Sequence, residues 1–273
     1  MNNVLSGIVV LLLTATTALF AQSESKEQLV VPLTDPGKPG SLEVGLVNGF
    51  IHVTGYSGKD VIIDASTRSS SRAEDRSTSS GGMRRISTNN ALDVSAEEKN
   101  NRIRINATSH QKPVNLTIRV PQRFSLKIST VNEGDITVER VSGELEINNV
   151  NGAIELTNIS GSAVANTING DVTAVFRDVS PNAPMAFSTL NGRVDVTFPA
   201  SVKANVKLKS DRGDIFSDFD FDIDKSQPKG TRSTKSGMYR VSIEDWVYGR
   251  INNGGPEVMM KTMQGSIYVR KAK

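Results

Sequence analysis

The stretch that decides the fold runs from 148 to 176, NNVNGAIELTNISGSAVANTINGDVTAVF, with glycines at 152, 161 and 170, each nine residues from the next. The same beat begins earlier, at Gly134 and Gly143. Two, four and seven places after the first four of these glycines, Gly134 to Gly161, stands an aliphatic residue: Ile136, Val138 and Val141; Leu145, Ile147 and Val150; Ile154, Leu156 and Ile159; Ala163, Ala165 and Ile168. Side chains on one face of a continuous strand are separated by even steps. The step of three from the fourth to the seventh position therefore requires a bend. An antiparallel meander of Asn-Gly hairpins is the simpler source of such a beat. The slot before glycine argues against it, because Ser142, Asn151, Ser160 and Asn169 alternate with a full period of 18. Two nine-residue sides making one coil, with like residues stacked on like, describe a β-solenoid. In that reading the glycines are corners, the aliphatic slots point inward, and each buried one contributes roughly 1.5–3 kcal/mol.

Outward from this stretch the chain remains β-rich. Leu42, Val44, Leu46, Ile51 and Val53, then Val61 to Ile63, then Val114, Leu116, Ile118 and Val120, read as strands, and no helical period extends over three turns. The unit returns at wider spacing around Gly192, Gly213 and Gly265. The expected fold is all-β, a single elongated β-solenoid over 41–273 with loops at about 67–90, 177–186 and 217–240. Irregular N-terminal strands and the closing YVRKAK are expected to cover the two ends of the stack.

Residues 1–21 read as a secretory signal peptide: an uncharged apolar run from Val4 to Phe20 ends at Ala21 before polar residues. Residues 22–40, with Pro32, Pro36 and Pro39, read as a leader. The run is short for a membrane span and no second one follows, so the mature chain is expected to carry no transmembrane segment and to be periplasmic or extracellular. There is no cysteine, which excludes disulfides, thiolate metal sites and a cysteine nucleophile. A net charge of +3 spread along the chain gives no basic patch for nucleic acid.

The order of elements carries a resemblance. A strand ending VNLTIRVPQRFSLKIST, the units TVNEGDITVERVSGELEINNVNGAIEL and the closing INNGGPEVMMKTMQGSIYV resemble the bacterial DUF4097 family of β-strand repeat, adhesin-like exported proteins. Coverage is roughly Ser41 to Val269. The resemblance implies an exported envelope protein with a β-helical fold and no established catalytic residues.

Chemistry-bearing residues are sparse. His52 and His110 form no pair at metal or acid–base spacing, and no serine stands in a G-x-S-x-G elbow. Asp218, Asp220 and Asp222 offer the hard oxygens that Ca²⁺ prefers, but they interleave with Phe219, Phe221 and Ile223 as on a strand with one wet face. Arg212-Gly213-Asp214 repeats the corner-plus-strand start seen at Gly134 and Gly170. Asn106, Asn115 and Asn158 begin sequons, which read as Asn-rich strand ends. Glu144, Glu146 and Glu155 are candidates to line a groove of the kind that polysaccharide lyases and hydrolases build on β-helices, yet they alternate with the core positions as a solvated face does. The reading is a non-catalytic, adhesin-like envelope binding or structural module, without cofactor, for an unidentified envelope protein or glycan. Self-association through exposed solenoid edges is a further expectation. The alternatives are a polysaccharide-active enzyme on the same fold and a periplasmic accessory or sensor protein of an envelope-stress system.

Overall fold

The computed structural model describes residues 25–67, 92–108, 113–132, 134–220, 222–223, 231–235, 238–242 and 246–273. The expected signal peptide, His110 and nearly all of the 67–90 loop lie outside the described residues.

Every described element is a strand. In chain order they are β1 (Ser25–Pro32), β2 (Gly40–Asn48), β3 (Ile51–Tyr56), β4 (Asp60–Thr67), β5 (Asp93–Lys99), β6 (Arg102–Thr108), β7 (Val114–Pro121), β8 (Phe124–Asn132), β9 (Ile136–Glu139), β10 (Ser142–Asn149) and β11 (Ile154–Asn166). There follow β12 (Val172–Val179), β13 (Met185–Asn191), β14 (Val194–Phe198), β15 (Ala204–Ser210), β16 (Ile215–Ser217), β17 (Asp222–Ile223), β18 (Thr231–Lys235), β19 (Met238–Ser242), β20 (Val247–Ile251), β21 (Glu257–Gln264) and β22 (Ile267–Lys271). All but β18 and β19, which form a hairpin of their own, share one 20-stranded sheet.

The aliphatic slots build two parallel ladders. One runs Leu116, Ile51, Ile136, Ile154, Val172, Val194, Ile267 and Ile215, through β7, β3, β9, the first half of β11, β12, β14, β22 and β16. The other runs Ile105, Val44, Ile128, Ile147, Ala165, Phe187, Met260 and Leu208, through β6, β2, β8, β10, the second half of β11, β13, β21 and β15. One strand from each ladder makes a rung. Apart from Ile215, which is half-buried, all of these residues are buried and join one core. Phe176 links the ladders, edge-on to Phe187 at 6.1 Å and stacked on Phe198 at 5.3 Å. Because the pairing is parallel, the hairpin reading fails for this part of the chain. Ser142 lies beside Ser160 and Asn151 beside Asn169, the eighteen-residue register.

The two corners of a rung are unlike, and that corrects two expectations. The seventh slot is buried at Val141 and Ile159 but only half-buried at Val150 and exposed at Ile168. At that corner the preceding residue turns inward instead, and its side chain caps a backbone carbonyl of the neighbouring rung. Thr130 donates to Gly49, Asn149 to Gly134, Thr167 to Gly152, Thr189 to Gly170, Thr262 to Gly192 and Ser210 to Gly265, at 2.8–3.2 Å. A polar side chain wins the inward slot because the carbonyl there would otherwise be buried unpaired. Nor do all the glycines turn corners. Gly143 and Gly161 lie inside β10 and β11, and the bend before them is made by Arg140 and Asn158, both near φ 55°. Gly161 is glycine because a Cβ would strike the carbonyl oxygen of Gly143.

Chain order and stacking order differ at both ends. The rung β2–β3 sits between β6–β7 and β8–β9, and the rung β21–β22 sits between β13–β14 and β15–β16. The closing YVRK is therefore interior, not a cover. The ends are covered by antiparallel strands: β5 on β6, β4 on β7 with β1 outside it, and β20 on β15 with β17 outside it. Three further differences follow. The segment read as a leader supplies β1. The 177–186 loop shrinks to 180–184 because β12 continues to Val179. The 217–240 loop carries β17, β18 and part of β19.

Candidate functional site

The outer face of the second ladder holds a broad concavity of about 1350 Å³, bounded at one side by Glu97 and Lys99 of β5 and at the other by Ala183 and Pro184. Alternation places its floor: residues one step from the buried Ile105, Val44, Ile128 and Ile147 point outward. They are Arg104, Glu43, Lys127 and Glu146, side by side in register on four neighbouring strands. Charge alternates along this row. Arg104 Nη2 lies 2.8 Å from Glu43 Oε2, and Lys127 Nζ lies 3.0 Å from Glu146 Oε1. The Arg104 guanidinium, donating a hydrogen bond, holds the Glu43 carboxyl below its usual range and is itself held more firmly protonated. Further along the row the charge ends, at Val164 and Ala186.

The far end of the same face is basic and aromatic. Lys207 Nζ stands 4.5 Å from the centre of the Trp246 ring and 6.0 Å from that of Tyr248, and Lys209 lies 5.7 Å from Trp246. Beside them a smaller hollow of about 590 Å³ is lined by Lys207, Tyr248, Arg250, Asp222 and Glu257.

Of the glutamates named from sequence, Glu144 and Glu146 line the concavity, while Glu155 pairs with Thr137 and Thr173 on the opposite ladder. The structure separates it from the other two. Asp218 and Asp220 lie in a bend after β16, where Phe219 is buried and its N–H donates to Ser217 Oγ at 2.9 Å, so the alternating strand expected there does not form. Asp222 lies on β17. Among the described residues no three His, Asp or Glu side chains gather as a metal site would require. His52 Nε2 is 2.9 Å from Thr54 Oγ1 on β3, away from the concavity. Gly213 of the Arg-Gly-Asp stretch turns a corner like its counterparts, packed on the Gly265 carbonyl. Asn106 and Asn115 lie within β6 and β7, and Asn158 makes the bend in β11.

The charge row was invisible to sequence reading because Glu43, Arg104, Lys127 and Glu146 come from four separate strands. Lys127 and Glu146 come from successive rungs, and the interleaving of β2 between β6 and β8 brings Glu43 and Arg104 beside them.

Residues 126–246 match the Toastrack DUF4097 family model. The Toastrack match opens on Leu126 in β8 and closes on Trp246, so it takes in Lys127, Glu144 and Glu146 and leaves β1–β7 and β20–β22 outside it. Two crystal structures are similar over 92% of this chain, each at 11% sequence identity. One is a candidate cell adhesion protein from Clostridium sporogenes ATCC 15579, covered over 100% of its length at a TM-score of 0.45. The other is a candidate adhesin from Bacteroides fragilis NCTC 9343, covered over 98% at 0.37. No curated protein matches the chain. Among the described residues no helix is long and apolar enough to cross a membrane.

Proposed function

We propose that the two ladders wind as a β-solenoid and that the chain is a non-catalytic, exported, adhesin-like binding module of the cell envelope, with the charged concavity as its recognition face. The observation that carries this reading is the pairing of Glu43 and Glu146 with Arg104 and Lys127 across four strands. A carboxyl working as a general acid needs its pKa raised; that of Glu43 is lowered. Paired, solvated charges on a rigid sheet instead offer alternating donors and acceptors to an extended polar ligand. An envelope glycan or a polar protein segment has that character. The Toastrack DUF4097 match over 126–246 supports the same reading.

The test is binding of the purified chain to arrayed envelope glycans and to isolated envelope proteins, together with an assay for reducing-end release. Retention weakened about tenfold by Glu43→Lys with Lys127→Glu, without released sugar, supports the reading. Turnover that disappears on changing Glu144 or Glu146 overturns it in favour of a polysaccharide-active enzyme.

A further inference from the structure

The corner between the two ladders presents a row of exposed aliphatic side chains that the core does not use. Val47, Val131, Ile168, Leu190 and Met263 are 66, 41, 44, 42 and 37% exposed, and with half-buried Val150 they occupy the same slot on six successive rungs. At the strand spacing of about 4.8 Å the row is about 24 Å long. Over its central four rungs both flanks are uncharged. On one side Asn191 donates to Asn169, Asn169 to Asn151 and Asn151 to Asn132, at 2.7, 2.8 and 3.3 Å. On the other, Ser188 donates to Asn166 and Asn166 to Asn148. These side chains already hold one another, so little further ordering is needed to cover the row.

We infer that this row is an interface between two copies of the chain, packed antiparallel across a twofold axis between Val150 and Ile168. The twofold sets Val47 against the partner's Met263, Val131 against the partner's Leu190, and Val150 against the partner's Ile168. Three observations select a second copy. The backbone beneath the row is spent, since Asn151, Asn169 and Asn191 N–H groups donate to the Val131, Val150 and Ile168 carbonyls at 3.1, 2.8 and 2.8 Å, so an extended peptide finds no ladder to join. Beyond the Asn column the same corner carries Asp135, Asp171 and Arg193, the last two paired at 2.9 Å; the twofold sets Asp135 against the partner's Arg193, so the surface meets its own image with opposite charges, while it offers no cationic flank to an anionic membrane. A second copy also matches the row's pitch rung for rung, whereas a helix with its 5.4 Å turn drifts out of step. Lys261 and Asp211 stand at the Met263 end of the row. This differs from association through the sheet edges, which antiparallel strands largely cover.

A row this narrow buries less than a standard interface, so the dimer is expected to form in the range of about 10–500 µM. Sedimentation velocity of the purified chain across that range should show a monomer–dimer equilibrium. Ile168→Lys with Leu190→Lys, both at exposed positions, should weaken it at least tenfold while leaving the melting temperature and circular dichroism unchanged. In the cysteine-free chain, an equimolar mixture of the single variants Val150→Cys and Ile168→Cys should give disulfide-linked heterodimers on oxidation, and Val30→Cys on β1 should give none. A chain that stays monomeric throughout, dimers indifferent to the lysines, cross-linking through Val30→Cys in place of the corner pair, or a monomer that instead binds lipid vesicles would each overturn the inference. Should the lysine variants misfold, the concentration dependence of the unaltered chain and the cysteine cross-link decide. Loss of glycan binding in the concavity would leave the result untouched, since none of these residues forms the charge row.

Discussion

At the scale of the residue, the inward-turned polar side chains at one corner separate two kinds of buried hydroxyl. Thr189 Oγ1 donates to the Gly170 carbonyl at 2.8 Å. Removing it in Thr189→Val keeps the shape and leaves that carbonyl short of a donor, which costs about 1–2 kcal/mol. Ser160 is also buried, but its Oγ has no partner among the described residues. Ser160→Ala should therefore be neutral or stabilising by up to about 1 kcal/mol, since only desolvation of an idle hydroxyl is relieved. Denaturant unfolding of the two variants beside the parent measures both; equal destabilisation would show that the Thr–carbonyl bonds carry nothing of their own. Gly170 tests the same corner from the backbone side. A Cβ there would strike the Gly152 carbonyl oxygen, so Gly170→Ala must push two rungs apart and is expected to cost more than about 2 kcal/mol in the same experiment.

At the scale of the element, the turn that ties β5 to β6 is held by carboxylates. Glu98 accepts from the N–H groups of Asn101 and Thr34, at 2.8 and 3.1 Å, and Asn101 bonds Asp35 in both directions. The Asn101 N–H, then that of Thr34, holds the Glu98 carboxyl below its ordinary 4.5, and the Lys38 ammonium lowers Asp35 from 3.8. A carboxyl whose folded pKa is depressed stabilises the fold above its unfolded value and loses that contribution as pH falls through the folded one. Amides at 34–41 should thus lose hydrogen-exchange protection as pH drops below about 4, while those of β12 and β14, away from the cluster, keep theirs. Glu98→Gln should flatten that dependence; an unchanged pH profile in the variant would place the acid sensitivity elsewhere. Element structure is also where sequence reading succeeded and failed for visible reasons. Leu145, Ile147, Ile154 and Leu156 announced their inward faces because alternation and a fixed period act locally. Val150 and Ile168 misled because a hydrogen-bonding demand at the corner, from carbonyls of another rung, outranks their hydrophobicity. Between 218 and 224 alternation announced Phe219 and Ile223 on one dry face, yet Phe219 is buried from a bend while Ile223 is exposed on β17, so the local period does not record where the strand breaks.

At the scale of the whole molecule, threading sets cooperativity. In a simple stack the last rung touches one neighbour, and its loss bares one interface. Here the chain's final rung, β21–β22, is penultimate in space, with Phe187 on one side of Met260 and Leu208 on the other. Its strands also carry the backbone bonds of β16, which pairs with β22. No local sequence signal records this, because KTMQGSIYV reads as one more unit wherever it is inserted; only the pairing of Val194 and Ile215 to the same Ile267 shows where it goes. Deleting residues 257–273 should accordingly do more than shorten the stack. It leaves β13–β14 and β15–β16 facing a gap that neither can close without moving the antiparallel cover of β20. The expected outcome is loss of hydrogen-exchange protection in β15, β16 and β20 together with β13 and β14, in a chain prone to aggregation through the newly bared aliphatic rows. Removing β1 by deleting residues 25–32 strips an outer cover from β4 alone, and should leave protection in the rest of the ladders near that of the parent. If the two deletions prove equally mild, the inserted rung is not the element that closes the stack.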